Sequence, residues 1–150
     1  MIRPDLLIPG FTLDDVETSG ARIRLSRGGM GPPLLLLHGH PQNHVTWCKV
    51  APRFARDYTV VAPDLRGYGD SGKPPGGADH INYSKRAMAR DMIDAMASLG
   101  FARFALVGHD RGGRVAHRMA LDHPDAVSSI VVVDIAPTAT HPAACDTADH

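Results

Sequence analysis

The 150-residue chain is short of several things, and each shortage excludes a class of protein. It has two cysteines, Cys48 and Cys145, too few for a disulfide framework and in no metal-ligand spacing, which points to a reducing compartment. It has no excess of either charge: 16 basic residues balance 16 acidic ones, so nucleic acid and anionic membrane surfaces are not expected partners. No apolar run approaches the ~20 residues that cross a bilayer. The start, Met1-Ile2-Arg3-Pro4-Asp5, meets charge and proline at once and offers no apolar core for a secretion signal. A cytoplasmic protein is the expectation from these absences.

What is present is an alternation of strand and helix signals. Phe11 to Glu17 and Ala21 to Leu25 read as an antiparallel pair. Leu34 to Leu37 and Tyr58 to Ala62 are continuous apolar runs of strand length, as strands buried on both faces require. Val45 to Ala55 suits a short helix limited by Pro52. Ser84 is a candidate N-cap for a helix to Leu99, with Met88, Met92, Met96 and Leu99 on its core face. Lys85, Arg86, Arg90, Asp91 and Asp94 fall mostly on its other face. Gly100 follows as a helix terminator, then a strand (Phe104 to Val107), a helix (about Arg111 to Asp122) and a strand from Val127 to Ile135. The expected fold is α/β, a mostly parallel sheet with helices on both faces. Residues 1–136 read as the N-terminal part of one core domain, and 137–150 as an irregular tail.

The strongest chemical signal is Val107-Gly108-His109-Asp110-Arg111-Gly112-Gly113, between a predicted strand and a predicted helix. Its form, G-x-nucleophile-x-G, is that of an elbow that lifts the central side chain above the carboxyl end of a sheet. A plain glycine-rich turn with Asp110 as helix cap is the competing reading. Three companions bear on the choice. His38-Gly39-His40-Pro41 follows the earlier buried strand, where such a fold takes one oxyanion-hole N–H. The expected donors are the backbone amides of His40 and Arg111, while His38 and His109 read as structural histidines. Arg111 and Arg114 crowd positive charge into the first turn of a helix, where the macrodipole is already positive. They suit a small bound carboxylate, or ion pairs with Asp64 or Asp70. Asp134, at the end of the last strand, can orient a histidine base or simply form a loop before Pro137.

Two stretches, LLLLHGHPQNHVTW with VVAPDLRGYGDSGKP, and NYSKRAMARDM with LVGHDRGGRVAHRMALDHPDAVSSIVVVDIAPT, resemble the haloacetate (fluoroacetate) dehalogenases. These are α/β-hydrolases of the branch that also holds haloalkane dehalogenases and epoxide hydrolases. The resemblance implies that Asp110 is a nucleophile displacing halide from a 2-haloacid to form an ester, which water then opens. It implies that Arg111 and Arg114 bind the substrate carboxylate and that Asp134 is the triad acid. Arg111 stands where the haloalkane and epoxide branches usually place tryptophan. His40 departs from the phenylalanine common in the family. The resemblance also implies that the chain stops before the helical cap, the last strands and the C-terminal histidine base. No metal or cofactor is implied, the partner is a small-molecule carboxylate, and a homodimer of the full-length parent is admitted. Two alternatives stand beside this: an epoxide hydrolase or other hydrolase of the same branch, and an inactive truncated fragment with no catalytic role.

Overall fold

The computed structural model describes residues 7–135, so the stretch 137–150 expected to be irregular lies outside the described residues. Among the described residues six strands form one sheet: β1 (Thr12–Glu17), β2 (Arg22–Gly28), β3 (Pro33–Leu37), β4 (Thr59–Pro63), β5 (Phe104–His109) and β6 (Val127–Val133). Their spatial order is β1-β2-β4-β3-β5-β6. The β1–β2 and β2–β4 pairings are antiparallel, and the three pairings from β4 to β6 are parallel. Three α-helices accompany them, α1 (Ala51–Phe54), α2 (Lys85–Ser98) and α3 (Arg111–Asp122).

The apolar runs explain the layering. Successive strand residues point to opposite faces, so β3 sends Leu35 and Leu37 into one core and Leu34 and Leu36 into another. The first core is closed by Met88, Met92 and Met96 of α2 and by Val115 and Met119 of α3. The second contains Val60, Ala62 and Ala51, with Trp47 packed against it. The methionine stripe is thus core, and helices lie on both faces of the sheet as expected, although Ile130 to Val133 of β6 stay exposed.

Several boundaries differ from the sequence reading. β2 runs on to Gly28 because Leu25 to Gly28 pair with β4, a contact distant in sequence. The helix expected over Val45 to Ala55 divides into a 3₁₀ turn (His44–Trp47) and the single turn of α1, with Pro52 in its first turn. Ser84 caps α2 as expected, accepting the Ala87 N–H at 3.1 Å.

The polar face of α2 holds the larger surprise. Asp91 is fully buried and Lys85 nearly so. Asp91 receives a two-pronged contact from Arg66, Nε at 2.6 Å and Nη2 at 2.7 Å, and a hydroxyl hydrogen bond from Thr18 at 2.7 Å. Arg66 also donates to the Asn82 carbonyl at 2.6 Å. The β1–β2 turn, the loop after β4 and α2 therefore meet at one buried ion pair. Removing one partner of such a pair strands the other charge and costs about 3–5 kcal/mol. Asp91→Ala should lower unfolding stability by that amount in a denaturant titration; a loss below ~1 kcal/mol would mean water satisfies Arg66 equally well.

Candidate active site

Asp110 occupies the single step between β5 and α3, at φ 51° and ψ −117°. A residue with a Cβ is strained there by about 1–3 kcal/mol, so the surroundings must hold it. Its N–H donates to the Val133 carbonyl of β6 at 3.1 Å. Its carbonyl accepts the N–H groups of Gly113 at 2.9 Å and Arg114 at 3.3 Å, which starts α3. The turn is tight enough that a Cβ on Gly112 would lie 2.5 Å from the carbonyl oxygens of Leu37 and His38. One on Gly108 would lie 2.4 Å from the Gly112 carbonyl. Gly108 and Gly112 are thus explained by backbone against backbone, whereas a Cβ on Gly113 would meet the Val132 and Ile135 side chains.

The loop after β3 meets the elbow. His40 donates its backbone N–H to Asp110 Oδ2 at 2.9 Å, and the Arg111 N–H lies close enough to this carboxylate to favour its charged form. The two amides expected to form an oxyanion hole therefore converge on one side chain. Burial pushes the Asp110 carboxyl up, but these two amides, with His109 and Arg111 nearby, outweigh it and hold the group below the ordinary carboxylate range. Gly39 lets the loop come this close, since a Cβ there would sit 2.7 Å from Asp110 Cβ and 2.9 Å from Oδ2.

The loop is itself fixed. Buried His38 donates from Nδ1 to the Gly39 carbonyl at 2.8 Å and accepts the Leu65 N–H on Nε2 at 3.0 Å. Gln42 accepts the Gly39 N–H at 3.0 Å and contacts His109 Nδ1 at 3.2 Å. His44 donates to buried Asp64 from both its backbone and its ring, at 2.7 and 2.8 Å, and Asp70 adds its N–H at 2.9 Å. Burial raises the Asp64 carboxyl, but the His44 and Asp70 donors prevail and hold it low. His38 is a structural histidine, as expected.

The remaining site residues fall as follows. Arg111 donates from Nη1 to the Tyr68 hydroxyl at 2.8 Å, so this guanidinium turns to a phenol. Arg114 lies half-buried in the first turn of α3. Asp134 follows β6 at φ 59°, with an exposed carboxylate whose Oδ2 is 3.6 Å from His109 Nε2. Asp110, Arg111 and the His40 amide are therefore brought together, and Asp134 faces His109 across the next strand. Tyr68, Gln42 and His44 belong to this arrangement but carry no local motif; their partners lie in loops distant in sequence. Among the described residues no cluster of histidine, cysteine and acidic side chains could hold a metal, and no helix is long and apolar enough to cross a membrane.

A mostly parallel sheet, a strained strand-to-helix elbow and two amides close to its carboxylate define a class. Residues 32–149 match the family model of the alpha/beta hydrolase fold, and the chain belongs to that family. Among its relatives it is 58% identical to the fluoroacetate dehalogenase of Burkholderia sp. over 132 residues, which is 88% of this chain and 43% of that protein. It is 43% identical to the soluble epoxide hydrolase of Corynebacterium sp. over 119 residues, 79% of this chain and 40% of that one. A crystal structure from Salmonella enterica, of a protein proposed to be an acyltransferase, superposes with a TM-score of 0.88 at 59% identity. That match covers 93% of this chain and 46% of the other. The chain thus spans less than half the length of these relatives.

The Gly39 contact gives a direct test of the hole. Gly39→Ala should push the Asp110 carboxylate off the His40 amide and raise the pH at which that carboxyl titrates, since the amide helps to hold it low. Carbon-13 NMR of the aspartate carboxyls reads this, and an unmoved titration would separate the amide contact from the ionisation of Asp110.

Proposed function

We propose that this chain carries the nucleophile half of a haloacetate dehalogenase. The observation that carries the reading is the Asp110 carboxylate, ionised and held by Oδ2 against the His40 amide with arginine as the next residue. Displacing halide from a saturated carbon needs an ionised nucleophile in line with the carbon–halogen bond, and a carboxylate is one without prior deprotonation. With Oδ2 engaged, Oδ1 is the oxygen placed to attack. The oxygen–carbon bond forms as halide leaves with the bonding pair, giving an ester of Asp110. Arg111 and Arg114 hold the substrate carboxylate beside it, as paired guanidiniums do well.

Water then adds to the aspartyl carbonyl carbon. The charge develops on Oδ2, the oxygen already facing the His40 amide, and collapse of the intermediate releases a hydroxy acid and restores Asp110. A histidine takes the proton from that water, oriented by Asp134. In this reading the histidine comes from outside the 150 residues. The identity to fluoroacetate dehalogenase supports the substrate class. An epoxide hydrolase of the same branch is the second reading, favoured by the Corynebacterium relative, with Asp110 opening an epoxide in place of a carbon–halogen bond.

Incubated with bromoacetate, the chain should gain one carboxymethyl group on the peptide containing Asp110, and Asp110→Asn should abolish it. Arg114→Ala should raise the bromoacetate concentration needed for half-maximal rate about 10- to 150-fold, as for a lost charged hydrogen bond of about 1.5–3 kcal/mol. A neutral epoxide labelling Asp110 faster than bromoacetate does would favour the second reading. No label at all would leave the chain a fragment without catalytic role. Halide release beyond one equivalent would place the base within these residues.

A further inference from the structure

Three side chains form a chain of polar contacts at the mouth of the site: the Arg111 guanidinium, the Tyr68 hydroxyl and the His40 ring. Arg111 Nη1 is 2.8 Å from the Tyr68 oxygen, and His40 Nδ1 is 2.8 Å from it on another side. Arginine has donors only, so the phenol oxygen must accept from Arg111. The phenol proton is then left for His40 Nδ1, which accepts it when the imidazole carries its own proton on Nε2. The ring of His40 also meets the Tyr68 ring edge-on, with centroids 5.7 Å apart.

We propose that His40 and Tyr68 are positioning residues that orient Arg111, and so set the preference of the site for substrates bearing a carboxylate. The inference rests on the dehalogenase reading above. A phenol that donates its proton to an imidazole is a stronger acceptor, because linked hydrogen bonds polarise one another. His40 thus tightens the hold of Tyr68 on one Nη1 hydrogen. The guanidinium is pinned by that corner, and its remaining N–H groups are left for a carboxylate beside Asp110, whose own charge already feels Arg111. Without an acceptor at position 40 the phenol proton turns to water, Arg111 swings more freely, and part of the discrimination between charged and neutral substrates is lost.

The test compares two reagents of the same shape and different charge, bromoacetate and bromoacetamide, by the rate at which each labels Asp110. Tyr68→Phe and His40→Phe should lower the bromoacetate-to-bromoacetamide ratio about tenfold, the size of one weakened charged hydrogen bond. His40→Asn, which returns an acceptor near the place of Nδ1, should restore the ratio to within about threefold. Because the readout is a ratio, a general loss of fold or of nucleophile reactivity does not produce it. An unchanged ratio in both phenylalanine variants overturns the proposal, as does an asparagine variant no better than phenylalanine. If the unsubstituted chain shows no preference for bromoacetate, the dehalogenase reading fails first and this inference with it.

Discussion

The arrangement depends on keeping one non-glycine residue, Asp110, at a positive φ. Left to itself that backbone would relax, and the carboxylate would turn away from the amides. It is held from three directions: the β6 carbonyl of Val133 takes its N–H, α3 begins on its carbonyl, and the His40 amide takes its side chain. The parallel pairing of β3, β5 and β6 sets all three. The order of the strands is therefore a requirement of the site as well as of the core.

That constraint explains where the chain tolerates no side chain. Gly108, Gly112 and Gly39 lie where a Cβ would enter a backbone or the Asp110 carboxyl. The same closeness gives the carboxylate its amide donors. Under the proposed mechanism those donors act twice, first keeping the nucleophile ionised and then receiving the oxyanion, with little rearrangement between the two. A site so built needs no movement of its core residues to pass from one step to the next.

Legibility followed sequence distance. The strand runs, the methionine face of α2 and the elbow were readable because each depends on neighbours a few residues away. Asp91 was misjudged because its partner, Arg66, lies 25 residues back in a loop, and helical periodicity alone places a carboxylate there on the solvent face. Tyr68 went unnoticed for the same reason, being 43 residues from Arg111 and in a glycine-rich connector. The His40 amide was anticipated, although it is 70 residues from Asp110, because a motif fixes the loop that supplies it. The pairing of Asp134 with His109 was not anticipated: both were read singly, and only the β5–β6 register sets them side by side.

His38 gives the site a limit of its own. Burial holds its imidazole below the ordinary histidine value, and it is bound in one tautomer between the Gly39 carbonyl and the Leu65 amide. A second ring proton would point at the Leu65 N–H, so folding favours the neutral ring. The unfolded chain takes up that proton near pH ~6.5. The stabilisation is complete above this value, begins to fall below it, and is lost once the folded ring is protonated. Asp110 keeps its charge further into acid than an ordinary carboxylate, whereas the loop that carries its partner amide starts to weaken in the histidine range. Acid tolerance here is limited first by the scaffold, and a more acid-resistant site would need a different support under Gly39 rather than a different nucleophile.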